Sequence, residues 1–334
     1  MTVDLPLIWG LLIGFAVLMY VVMDGFDLGV GILFPVIGNE RHRDTMMNSV
    51  APVWDGNETW LVLGGGGLFA VFPLAYSVLL TAFYAPLTVM LLALIFRGVA
   101  FEFRFKDPRH KRAWAVSFAA GSTLATFCQG IVLGAFIQGV AVEGRGYAGG
   151  WFDWLTPFSV FTGAALVAGY ALLGATWLVM KTGGDLQERA YGLVLPLTTA
   201  VVAAIAFVSV WTPLLHEDIA ARWFSWPNLL YLSPVPLAVA GVVFLLARAV
   251  ANRHEVQPFL LALALFLLSY FGLGISLFPN IIPPAVSIWD AAAPDASLLF
   301  LLVGALVLLP VILGYTGYAY WVFRGKVGTD DGYH

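Results

Sequence analysis

Long, nearly unbroken apolar runs divide this chain, with short polar connectors between them. The runs fall at residues 7–33, 53–72, 75–101, 114–140, 157–180, 191–211, 229–251, 258–278 and 297–323. Each is long enough, at about 20 residues or more, for a helix to cross the hydrocarbon core of a bilayer. Apolar residues fill every face of these runs, as in helices surrounded by lipid and other helices. The pattern predicts an all-α integral membrane protein of nine transmembrane helices, arranged as two four-helix bundles plus one peripheral helix. Residues 1–334 read as a single polytopic domain, with approximate halves at 1–145 and 146–334. The first run lacks a basic segment before it and a small-residue cleavage site after it, so it reads as a retained helix.

Composition agrees and adds exclusions. Hydrophobic residues make up 60% of the chain and charged residues only 11%, with a mean hydropathy of +0.89. A soluble domain carries roughly a quarter charged residues. The net charge of -4 gives no support to nucleic-acid binding. Cys128 is the single cysteine and lies in an apolar run, which excludes a disulfide framework and a cysteine metal cluster.

The basic residues set the orientation. Thirteen of the sixteen Lys and Arg fall on one side of a nine-span chain: Arg41 and Arg43, five within 104–112, Lys181 and Arg189, Arg248 and Arg253, and Arg324 and Lys326. Arg145 and Arg222 fall on the other side, and Arg97 lies inside the third run. By the positive-inside rule the N-terminus is outside and the C-terminus cytoplasmic. The longer outer loops carry Trp151, Trp154, Trp223, Trp226 and Trp289, whose rings suit the headgroup region.

Acids interrupt this apolar background in two places. Asp24 and Asp27 lie in the cytoplasmic third of the first run, and Asp55 and Glu58 at the cytoplasmic start of the second. The third run ends on the same side with Arg97 and Glu102, so six ionisable groups are expected at one depth. Each acid pair is spaced i, i+3 and shares a helix face. A charge at a helix centre costs roughly 2.5–3.5 kcal/mol on insertion scales, so such residues mark pairing, proton or ion roles. Two readings stand. Asp24 or Asp27 pairs with Arg97 and ties two helices together while Asp55 caps the second helix; or the cluster handles protons or an ion.

The glycines suggest close packing. Gly25 and Gly29 have the small-xxx-small spacing of close helix crossings. The run Gly64 to Gly67 is a poor helix sequence that calls for a helix or ligand against its backbone. The five histidines, His42, His110, His216, His254 and His334, all fall in loops or the tail. A haem between membrane helices needs ligands within the spans, and Met19, Met23, Met90, Met180 and Cys128 without His read as packing residues. Redox chemistry is therefore not expected to be ligated by this chain.

The segments MDGFDLGVG (23–31), NSVAPVWDGNETWLVLGGGGLFAVFP (48–73), FRGVAFEFR (96–104), SIWDA (287–291) and LGYTGYAYW (313–321) closely resemble subunit II of cytochrome bd-type quinol oxidases. The resemblance runs from the first span to the last, and its WDGNETWL block is highly specific. The short loops resemble the cyanide-insensitive branch. The resemblance implies a subunit of a complex in the bacterial cytoplasmic (inner) membrane that oxidises membrane quinol and reduces dioxygen to water. It further implies a heterodimer with a haem-bearing subunit I, which carries the b-type and d-type haems. The second subunit ligates no haem, and in some members it holds a quinone; small accessory subunits also occur. Matched to the family motifs, Asp55 belongs to a cytoplasmic proton-uptake path, with Glu58 beside it and ranked lower because some relatives have Gln there. Asp24, Asp27, Arg97 and Trp54 match positions linked to integrity of the haem-bearing complex. Two rivals remain at this stage: a proton- or ion-coupled secondary transporter, and a pure assembly subunit.

Overall fold

The computed structural model describes residues 3–37 and 39–327. In chain order its helices are α1 (Leu5–Leu33), α2 (Glu40–Val50), α3 (Trp54–Val71), α4 (Pro73–Ala82), α5 (Tyr84–Lys106), α6 (Lys111–Gln138) and α7 (Pro157–Lys181). They continue as α8 (Gly184–Leu215), α9 (Glu217–Phe224), α10 (Asn228–Leu232), α11 (Pro234–Ala251), α12 (Gln257–Leu277), α13 (Ile288–Ala291) and α14 (Asp295–Val322). Among the described residues the strands are confined to two short hairpins, β1 (Val142–Glu143) with β2 (Gly146–Tyr147), and β3 (Asn280–Ile282) with β4 (Val286–Ser287).

Among the described residues, eight helices are long and apolar enough to cross a membrane: α1, α5, α6, α7, α8, α10 with α11, α12 and α14. The second expected run, α3, is 18 residues long and is not one of them. Asp55, Asn57 and Glu58 in its first turns and its four glycines dilute its hydropathy. It nevertheless packs along α1 and links the α2 end of the molecule to the α4 end.

The expected run 75–101 is corrected to two helices. Phe72 leaves helical geometry at φ -126°, ψ 64°, and Pro73, which has no N–H to donate, opens α4 at a position where none is needed. At Phe83 (φ -107°, ψ 20°) the chain turns again, and Pro86 sits in the first turn of α5. The helix α2 was also not expected, and it places His42 in a helix rather than a loop. It buries Met46, Met47 and Val50 while Glu40 and Arg41 stay exposed. His334 lies outside the described residues.

The connectors gather at two ends. At one, Trp9 Nε1 donates to Leu298 O at 3.0 Å, Ala293 N to Val71 O at 2.8 Å, and Val140 N to Pro283 O at 3.0 Å. At the other, the buried Arg104 pairs with Asp44 and, at 2.9 Å, with Glu40, and so fastens α2 to α5. Lys111 reaches Asp44 at 2.9 Å, and Arg253 reaches Glu188 at 2.9 Å. At this basic end Lys326 and Gln187 donate to Glu255 and hold its carboxyl below the usual carboxylate range.

The centre is built on α7, which packs against α1, α6, α8 and α12. The α1–α7 crossing is backbone on backbone: a Cβ on Gly29 would stand 1.8 Å from Tyr170 O, and one on Gly174 would stand 2.3 Å from the Gly29 carbonyl carbon. The Gly25-x-x-x-Gly29 spacing therefore does what close helix packing requires. The four-glycine run behaves differently on its two sides. Gly64 and Gly67 face α1, near Val17 and Ile13, whereas Gly65 and Gly66 meet nothing of this chain within 4 Å.

Candidate functional site

Four of the six ionisable groups expected together converge inside the helices. Asp24 and Asp27 of α1 are fully buried, as is Arg97 of α5. Arg97 Nη1 donates to Glu58 Oε1 at 2.6 Å and lies 3.3 Å from Asp24 Oδ1. The expected pairing of an α1 acid with Arg97 thus falls on Asp24, with Glu58 as a second, closer partner. Trp54 and Phe101 stack with centroids 4.7 Å apart, and the Arg97 guanidinium carbon lies 5.8 Å and 5.5 Å from their rings. The two rings shield the cation and add a quadrupole attraction that needs no counter-charge.

Asp27 is held differently. Asn57 Nδ2 donates to Asp27 Oδ2 at 2.6 Å and to Met23 O at 3.3 Å. On its other side, Asn57 Oδ1 accepts from the Tyr320 hydroxyl at 2.9 Å, which brings α14 to the cluster. One turn before Asp24 on α1, the Tyr20 hydroxyl accepts from Gln129 Nε2 at 2.7 Å, and Tyr170 donates to Gln129 Oε1 at 3.0 Å. Side chains from α1, α3, α5, α6, α7 and α14 therefore meet in one polar zone.

The charges do not balance within it. Three carboxyl groups face one guanidinium, so full ionisation would leave excess negative charge in a buried place. A buried charge is tolerated when paired, and a surplus is relieved by taking up a proton.

Asp55 and Glu102 do not join. Asp55 is exposed in the first turn of α3, where the helix dipole favours an acid, and its carboxylate makes no hydrogen bond or ion pair among the described residues. It is not the cap expected of it: the N-cap position is Val53, with no side-chain capping bond. Glu102 is exposed and pairs with Lys106 at 2.6 Å, four residues on. The described histidines stay away from the cluster. His110 bonds Asp107 at 2.8 Å, and His216 bonds Ile137 O at 2.8 Å at the end of α8. Cys128 is buried in the apolar core.

Sequence reasoning missed Asn57, Tyr320, Tyr20, Gln129 and Tyr170. Asn57 carried the best available signal, since an amide between two acids in an apolar helix needs partners on both faces. Arg104 was read as one more cytoplasmic cation, yet it is as buried as Arg97.

Comparisons with known proteins bear on the whole chain. Residues 5–323 match the family described as cytochrome bd terminal oxidase subunit II. The chain is 31% identical to cytochrome bd-I ubiquinol oxidase subunit 2 of Escherichia coli (strain K12), over 98% of this chain and 96% of that protein. It is 30% identical to cytochrome bd ubiquinol oxidase subunit 2 of Bacillus subtilis (strain 168), over 97% of each. Its fold is similar to a chain in the structure of bd oxidase from Geobacillus thermodenitrificans, with a TM-score of 0.78 at 16% identity, covering 96% of this chain and 99% of that one.

Proposed function

The chain belongs to the family of cytochrome bd terminal oxidase subunit II, and on that premise we propose that it is the second subunit of a bd-type quinol:oxygen oxidoreductase. It is a multi-pass protein of the bacterial cytoplasmic membrane. The observation that carries the reading is similarity over nearly the full length of both this chain and its relatives. A transporter would share the buried acids but has no such support.

Within that reading the chain crosses the membrane nine times, with α3 as the additional crossing, the N-terminus outside and the C-terminus cytoplasmic. The basic end, with α2, Lys181 and Arg253, supports this orientation. The same reading puts α1, α3, α5 and α6 in one four-helix bundle and α7, α8, α11 and α12 in the other, with α14 peripheral and the packing of α7 on α1 and α6 joining the two.

The haems belong to the partner subunit. Among the described residues, His42, His110, His216 and His254 sit in connectors or near helix ends, which supports placing the haems in the partner. A quinone bound in this chain and a small accessory subunit are implied by the family resemblance. What this chain contributes is a rigid buried cluster, Asp24, Asp27, Glu58, Arg97 and Trp54, that holds helices in register for the partner. On the exposed face of α3, Asp55 and the open Gly66, about three turns on, line up at helical spacing, which suits a surface the partner covers. There Asp55 collects protons from the cytoplasm and passes them towards the oxygen-reducing site.

Purification tests the reading. The complex isolated through a tag on this chain should show haem absorption and quinol-driven oxygen uptake, while the chain alone should be colourless. A self-sufficient, colourless protein that moves ions in liposomes would sink it. For Asp55→Asn in the assembled complex, oxygen uptake should fall by about tenfold, below the roughly 10²–10⁴-fold of an acid acting on the reacting atoms. Wild-type uptake with intact haem spectra would remove Asp55 from the path.

A further inference from the structure

The helix α14 touches the rest of the chain sparingly. Leu298, near its start, is its one fully buried residue among those described. Its far end is nonetheless fixed in place. Lys181 Nζ donates to Phe323 O and, at 2.6 Å, to Gly325 O, and Val327 N donates to Lys181 O at 2.8 Å. Between these points Tyr320 reaches inward, its ring 6.4 Å from both the Phe26 and Trp177 rings.

What Tyr320 meets is the acceptor side of an amide whose donor side is already committed. Met23 O can only accept, as can Asp27 Oδ2 when ionised, so the NH2 of Asn57 must face them. Asn57 Oδ1 then faces Tyr320, and the phenol must donate. Each bond sets the sense of the next: the Tyr320 O–H fixes the amide, and the amide presents its N–H to Asp27. Without the phenol, Oδ1 would be buried with no donor. The amide would then be free to rotate and turn its oxygen against the carboxylate.

We propose that Tyr320 and Asn57 are positioning residues for the buried acid cluster, with α14 supplying the hydroxyl that locks the Asn57 amide onto Asp27. Asp24 on α1, Glu58 on α3 and Arg97 on α5 face the same acid and depend on its placement. The peripheral helix thereby controls the geometry of charges at the centre. Where it concerns turnover, the proposal rests on the oxidase reading.

The test uses the purified complex with Tyr320→Phe, Asn57→Leu and the double variant. Tyr320→Phe removes one oxygen and keeps the ring packing. It should lower kcat per haem by about threefold to tenfold, the worth of one neutral hydrogen bond, with KM and haem spectra unchanged. The double variant should be no worse than Asn57→Leu alone, in kcat and in melting temperature. A purely structural role would lower the melting temperature and leave kcat per haem untouched, and that result overturns the proposal. So do losses that multiply in the double variant. If Asn57→Leu does not assemble, Asn57→Ser takes its place in the cycle. If the wild-type complex consumes no oxygen, the oxidase reading falls, and the cycle in melting temperature still decides: additive shifts overturn the proposal, non-additive shifts support it.

Discussion

Arg97→Leu is expected to abolish accumulation of the assembled complex. Arg97 is fully buried and is the cation facing Asp24, Glu58 and Asp27. Removing one partner of a buried pair costs about 3–5 kcal/mol, because the other charge is left without compensation. Here at least two carboxyl groups lose their counter-charge together, and the Trp54–Phe101 stack loses the cation it shields. That loss is a large part of the 5–15 kcal/mol that typically separates folded from unfolded protein. The measurement is the haem-containing complex recovered per unit of membrane. A compensating variant separates charge from volume: Arg97→Leu combined with Asp24→Asn and Glu58→Gln should recover part of the yield. Wild-type yield from Arg97→Leu alone would show that the cluster does not hold this fold.

Much of this site was legible because charge is conspicuous in an apolar helix. Asp24, Asp27, Glu58 and Arg97 could be placed at one depth from span order and loop charge alone. The neutral members gave no such signal. Tyr320 lies 263 residues from Asn57, and Tyr20 lies 109 from Gln129, so nothing local connects them. Asp55 and Glu102 matched the depth but not the direction, since depth follows from position along a helix and direction from how neighbouring helices are rotated. For Glu102 a local signal existed in Lys106, four residues on, which draws it outward. The break at Phe83 was hidden for another reason. Hydropathy records what a segment can be immersed in, and a short apolar helix followed by a crossing helix has the same apolar content as one long crossing.

Gly29→Ala, the smallest change possible, is expected to disrupt the whole chain. The Gly25-x-x-x-Gly29 spacing announced a close crossing but not its partner, which proves to be Gly174 and Tyr170 on α7. A methyl group at Gly29 would stand 1.8 Å from Tyr170 O, whereas carbon–oxygen contacts across helices lie at about 3.3–3.6 Å. The obstacle is backbone, so no side chain can swing away. The two helices must separate by roughly 1.5 Å, the shortfall between those distances. Yet α7 is held against α6 by a second crossing, where a Cβ on Gly130 would come 2.6 Å from the Gly163 Cα. Relief on one side therefore overpacks or opens the other, and the cost should exceed the usual 1–3 kcal/mol or so of a single overpacked site. The strain falls on the stretch of α1 that carries Asp24 and Asp27, and on Tyr170, which is bonded to Gln129. Gly192→Ala on α8, where nothing lies within 4 Å, is the control: it should be neutral or gain up to about 1 kcal/mol of helix propensity. Melting temperature and recovered complex should separate the two variants sharply. Equal behaviour would mean that the α1–α7 crossing is not the contact on which the acid cluster is mounted.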